Sequence, residues 1–116
     1  MSGMATRLIT VCETKLFMRQ AEAVWGDEER ETFINFIAAN PEAGDVIPDT
    51  GGVRKVRWSR PGSGKRGGVR VVYFYFDAER PLFLLMVYAK AQQEDLSPEG
   101  KKAVRAFAAV VKGEAK

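Results

Sequence analysis

The apolar positions of this 116-residue chain follow two rhythms, a helical one near both ends and a strand-like one between them. Arg7 to Cys12 is a short β-prone run with apolar residues at Leu8, Ile9 and Val11, and it predicts a first strand. From Thr14, a residue placed to cap a helix, Leu16, Phe17, Gln20, Ala21 and Val24 fall at helical spacing, which predicts a helix to about Trp25. Gly26 breaks it and Asp27 is placed to cap a second helix, Glu28 to Asn40. Phe33, Phe36 and Ile37 form the stripe of that helix, and Glu28, Glu29 and Glu31 lie early, where the helix dipole favours acids. Asn40-Pro41 ends it, so the pair reads as an αα-hairpin.

Residues 41–52 are rich in Gly, Pro and Asp and read as a loop. The period then becomes two. Arg54, Val56 and Trp58 share one face of a strand, and Lys55, Arg57 and Ser59 share the other. Arg60 to Gly68 reads as a glycine-rich turn. Val69 to Phe76 is strongly β-prone, and Leu82 to Lys90 is so continuously apolar that it predicts a strand buried on both faces. These three strands make an antiparallel meander. Ser97 and Pro98 open a last helix, whose stripe is Val104, Phe107, Ala108 and Val111. The order β-α-α-β-β-β-α predicts an α+β fold: an N-terminal helical hairpin and a curved antiparallel sheet, with the helices on one sheet face. The length predicts a single domain over residues 1–116.

Composition narrows the chemistry. There is no histidine, which removes the commonest general acid–base and the commonest metal ligand, so neither a metal site nor a cofactor is expected. Cys12 is the only cysteine, so no intrachain disulfide forms. With no apolar leader after MSGMATR, this points to a reducing, cytoplasmic setting. No apolar run approaches the ~20 residues needed to cross a bilayer, so no membrane partner is expected.

Charge changes the picture most. The chain holds 18 basic and 15 acidic residues, a net +3. Seven of the cations, Arg54, Lys55, Arg57, Arg60, Lys65, Arg66 and Arg70, lie within 17 residues that contain no acid, leaving 11 basic against 15 acidic elsewhere. A basic hairpin on an acidic body predicts contact with a polyanion; the bland alternative is a solvated edge hairpin whose cations block unwanted pairing. Gly62 to Gly68 is not a phosphate loop of the Walker type, because Gly64-Lys65 is followed by Arg66 and then by a strand. Met86, Tyr88 and Lys90 share a face. If it is also the face of Arg70, cations and one phenol converge there; the structural alternative is pairing of Lys90 with Glu94 or Asp95. Trp58, Tyr73, Phe74, Tyr75 and Phe76 interleave with the cations, as core residues or as platforms for RNA bases. Without histidine to activate them, Cys12 and Ser97 read as structural.

GDVIPDTGGVRKVRW, GKRGGVRVVYFYFD and LLMVYAKAQQEDLS, in that order, resemble the RelE/ParE superfamily of type II toxins, and most nearly its HigB-like branch. The resemblance covers Gly44 to the C-terminus in motif detail. It implies a toxin that enters the ribosomal A site and cuts mRNA, a metal-independent endoribonuclease that inhibits translation. It also implies a cognate antitoxin, and contact with DNA only indirectly, through the toxin–antitoxin complex. By the same resemblance Lys55 and Arg57 match the basic pair before the turn, Arg70 the arginine after it, and Lys90 the first member of a basic pair ending the next strand. The second member falls on Ala91, and the tyrosine carried by some members falls near Leu96 and Ser97; both are departures. Lys55, crowded by cations that disfavour a charged amine, is then the candidate base. Arg57 and Arg70 would hold the scissile phosphate, and Lys90 would stabilise charge or the leaving oxygen. Arg54, Lys65, Arg66 and Tyr88 would grip RNA. Two other readings stand beside this one: a ParE-like toxin that poisons gyrase, and a non-catalytic RNA-binding module.

Overall fold

Thr14 ends a strand and starts a helix. Its hydroxyl donates to the Leu84 carbonyl at 2.8 Å and accepts from the Phe17 N–H at 3.4 Å, so one residue caps the helix and ties it to the sheet. The computed structural model describes residues 8–59, 68–93 and 95–114. In chain order the elements are β1 (Val11–Glu13), α1 (Lys15–Val24), α2 (Asp27–Ala39), β2 (Asp45–Val46), β3 (Arg54–Trp58), β4 (Val69–Phe74), β5 (Leu82–Ala89) and α3 (Pro98–Val111). Both predicted caps at Thr14 and Ser97 form; the Ser97 hydroxyl accepts from the Gly100 N–H at 3.0 Å. At α2 the cap position is Gly26, and Asp27 instead lies inside the first turn with Glu28 and Glu29.

The sheet runs in the order β1-β5-β4-β3-β2. The β3-β4-β5 meander is antiparallel as expected, whereas β1 pairs parallel to β5 at the edge, Val11 opposite Leu82. β2 falls in the stretch expected to be loop, pairing Asp45 with Lys55 and Val46 with Arg54. A two-residue strand carries no readable period, which is why the sequence hides it. The register of β4 on β5 shifts between Val72 and Tyr73, opposite Met86 and Leu84, leaving Leu85 as the extra residue of a bulge. Just past it the Val87 N–H is met by the Gln20 side chain at 3.0 Å. That contact explains a glutamine within the stripe of α1.

The helices cover both faces of the sheet, not one. α1 and α2 bury Phe17, Ala21, Trp25, Phe33 and Ile37 against Val69, Val71, Tyr73, Leu82, Leu84 and Val87. α3 buries Val104 and Ala108 on the other face, against Val72, Phe74, Leu85 and Tyr88. β4 is therefore buried along its whole length. An Arg30–Glu13 fork, two bonds of 2.8 Å, braces α2 to β1, and the Glu13 carboxylate holds the Arg30 guanidinium above its ordinary pKa. Among the described residues no helix is long and apolar enough to cross a membrane.

Candidate functional site

Strand alternation decides which cations meet. In β4, Val69, Val71 and Tyr73 point to the helical hairpin, so Arg70 points to the face of α3. The register puts Arg57 opposite Arg70 on one side and Tyr88 opposite it on the other. One strand pair further along, Lys55 stands opposite Val72, which in turn faces Met86. Lys90 follows β5 two residues beyond Tyr88, and its N–H donates to the Gly68 carbonyl at 3.2 Å, so its backbone continues the same column. Arg57, Arg70, Tyr88 and Lys55 thus share one sheet face, and the backbone of Lys90 continues from the end of β5.

The burial within this group is uneven. Arg70 is only 4% exposed and Tyr88 only 5%, while Arg57 and Lys90 are exposed. The register sets Arg57 and Arg70 at directly facing positions of the β3–β4 ladder. Gly68 makes the approach of β3 and β4 possible: its φ is +61°, and a Cβ there would lie 2.3 Å from the Trp58 carbonyl oxygen.

Lys55 has a partner that the sequence reading did not assign. Its ammonium donates to the Asp95 carboxylate at 2.5 Å, across 40 residues of chain. The sequence reading offered Asp95 to Lys90 and surrounded Lys55 with cations alone. The hydrogen bond and charge of Lys55 hold the Asp95 carboxyl below the usual carboxylate range, with Lys101 and Arg70 adding to the effect. Asp95 and Lys55 also line a groove of about 310 Å³ with Asp45, Ile47, Leu96 and Lys101.

Arg54 does not join the group. It lies on the opposite sheet face, and its guanidinium donates to the carbonyl oxygens of Gly44 at 2.7 Å and Glu42 at 3.3 Å, bracing the chain before β2. Lys65 and Arg66 lie outside the described residues, as do Arg60 and Glu94. The interleaved aromatics are core for the most part. Tyr73 and Phe74 are buried, and Trp58 packs on Phe33 and Phe36 with ring centroids 5.3 and 5.2 Å away. Phe76, 43% exposed, is covered in part by the Arg80 guanidinium, 4.9 Å from its ring centre. Cys12 is exposed and unbridged. Among the described residues no group of three or more Cys, Asp and Glu is placed to hold a metal ion.

A small α+β fold with two arginines and a lysine on one sheet face defines a protein suited to contacting a polyanion. Residues 9–116 match the family described as "RelE toxin of RelE / RelB toxin-antitoxin system", and the chain belongs to this family of toxins. Among solved structures it is similar to the Escherichia coli toxin RelE, an arginine double mutant in the free state. The TM-score is 0.54 at 16% identity, over 91% of this chain and 98% of that one. At that identity the likeness is one of fold.

Proposed function

We propose that this toxin is a ribosome-dependent mRNA endonuclease that cleaves in the A site through attack by a 2′-hydroxyl. The observation that carries the proposal is the row Arg57–Arg70–Tyr88 across three strands, with Lys55 on the same face. In the reaction the 2′-oxygen bonds to the adjacent phosphorus and the bond from phosphorus to the 5′-oxygen breaks. The 2′-hydroxyl loses a proton, and the leaving 5′-oxygen gains one. The products are a 2′,3′-cyclic phosphate and a free 5′-hydroxyl. Arg57 and Arg70 hold the phosphate and stabilise its added negative charge, Lys90 stabilises the leaving oxygen, and Tyr88 lines the floor of the site.

In this scheme Lys55 serves the 2′-hydroxyl, whereas in the free protein its amine donates to Asp95. Acting as a base requires that contact to open and the amine to give up a proton. Protein cations suffice for the charge stabilisation, so the scheme uses no metal or cofactor. Positioning of the substrate falls to the ribosome, which makes the site weak on free RNA. A cognate antitoxin is the expected partner, the cytoplasm the expected compartment, and DNA is met only through the antitoxin complex. Assignment to the HigB-like branch rests on the three motifs quoted above.

The test is cell-free translation with mRNA ends mapped at nucleotide resolution. The expected result is cuts that require ribosomes, that leave 2′,3′-cyclic phosphate ends and that vanish when the attacking 2′-hydroxyl is replaced by hydrogen. Intact transcripts alongside DNA breaks would point to the gyrase reading. Salt-dependent RNA binding without cuts would point to a non-catalytic module.

A further inference from the structure

We infer that Asp95 is an internal stand-in for the substrate phosphate, a carboxylate that occupies Lys55 in the free toxin and must be exchanged for RNA before Lys55 can engage it. The inference rests on the polyanion-binding reading of the Lys55 face and adds to it an autoinhibitory contact.

Three observations carry it. The Lys55 ammonium, on the same sheet face as Arg57 and Arg70, donates at 2.5 Å to a carboxylate that comes from outside the sheet. Among the described residues little else holds Asp95: its side chain is 70% exposed, and its main-chain oxygen accepts from the Gln93 side chain at 3.2 Å. The carboxylate therefore swings away at small cost, as a displaceable ligand must. Finally, Asp95 sits in the combined field of Lys55, Lys101 and Arg70, so it occupies a position the fold makes favourable for any anion. A phosphodiester presents that same chemistry, two anionic oxygens, and competes for the same ammonium.

The groove beside Asp95 gives the exchange a place to happen. Lys55 and Asp95 both line it, together with Asp45, Ile47, Leu96 and Lys101.

The test is equilibrium binding of a fluorescein-labelled 2′-O-methyl RNA oligonucleotide, which cannot be cleaved, to the full chain. Wild type, Asp95→Asn, Lys55→Ala and the double variant are compared in low salt. Freeing one exposed ion pair and removing one repulsive charge predicts binding about two- to fivefold tighter in Asp95→Asn. The salt dependence should steepen, and most of the gain should disappear when Lys55 is already alanine. A variant that merely loses structure does not bind more tightly, so damage to the fold cannot imitate this result. Equal or weaker binding in Asp95→Asn, or an equal gain with and without Lys55, overturns the inference. An Arg57→Ala control keeps the two claims apart: if it also leaves binding unchanged, the polyanion reading itself fails, whereas weaker binding in Arg57→Ala with no gain in Asp95→Asn removes only the stand-in role of Asp95.

Discussion

The two faces of β4 differ by one residue of register and by everything else. Val71 faces the helical hairpin among Phe17, Trp25, Phe33 and Tyr73, in an aromatic core with almost no solvent contact. Arg70, its neighbour in the chain, is nearly as buried, at 4%, yet it faces Arg57 across one strand pair and Tyr88 across the other. The first face accumulates apolar burial and holds the fold together. The second sets two arginines at facing positions of the ladder and carries the candidate site. The lesson is a division of labour by parity: alternate residues of one strand serve the core and the site. A one-residue slip of register would therefore exchange them.

Four predictions would break or sharpen that contrast. The largest effect belongs to the hairpin face. Phe33 is wholly buried and touches Trp25, Phe36 and Trp58. Truncation to alanine should cost about 3–5 kcal/mol in urea unfolding. A cost below about 1 kcal/mol would mean that this face does not hold the fold. Next is Gly68→Ala at the junction of the basic hairpin. The left-handed backbone alone costs about 1–2 kcal/mol, and the clash with the Trp58 carbonyl adds to it. Thermal melting should register the loss, and unchanged stability would show that the junction readily rearranges.

Tyr73→Phe follows, at about 1 kcal/mol, for the hydroxyl that accepts from the Gly44 N–H at 2.8 Å. Burial raises the Tyr73 pKa, so the folded state keeps its proton longer than the unfolded chain does. Its contribution is complete below the unfolded tyrosine value, near pH 10, and is lost as pH rises from there through the folded value. The phenylalanine variant should lack that alkaline loss in a series of pH-dependent melts. The smallest change in stability is expected on the cation face. Arg57→Ala should leave stability within about 0.5 kcal/mol, because the side chain is exposed.

Much of this arrangement was legible in residue order. Thr14 and Ser97 mark helix starts because a hydroxyl before an apolar period has one economical use, and the β3–β5 meander shows in its period of two. Parity put Lys55 with Arg57 on one strand face and Tyr88 with Lys90 on another; that Arg70 joins them depends on the register across the turns, which the ladder supplies. The parallel edge pair of β1 with β5, the brief β2 and the bulge at Leu85 were hidden, because strand direction and register depend on tertiary partners rather than local pattern. For the same reason α3 was not separated from the helical hairpin, although the burial of β4 on both faces requires a cover on each. Arg54 shows the limit of a charge count. Its charge resembles that of its neighbours, but parity sends it to the opposite face, where backbone carbonyls take it up. The Lys55–Asp95 contact joins residues 40 apart, and no spacing rule announces it.

The central claim is that the exposed cations of the α3 face hold the phosphate that is cut. The most direct measurement is the rate of ribosome-dependent mRNA cleavage by Arg57→Ala in cell-free translation, at equal concentration of folded protein verified by melting. The account predicts a loss of about 100-fold with the melting temperature unchanged. Cleavage at the wild-type rate in that folded variant would contradict it.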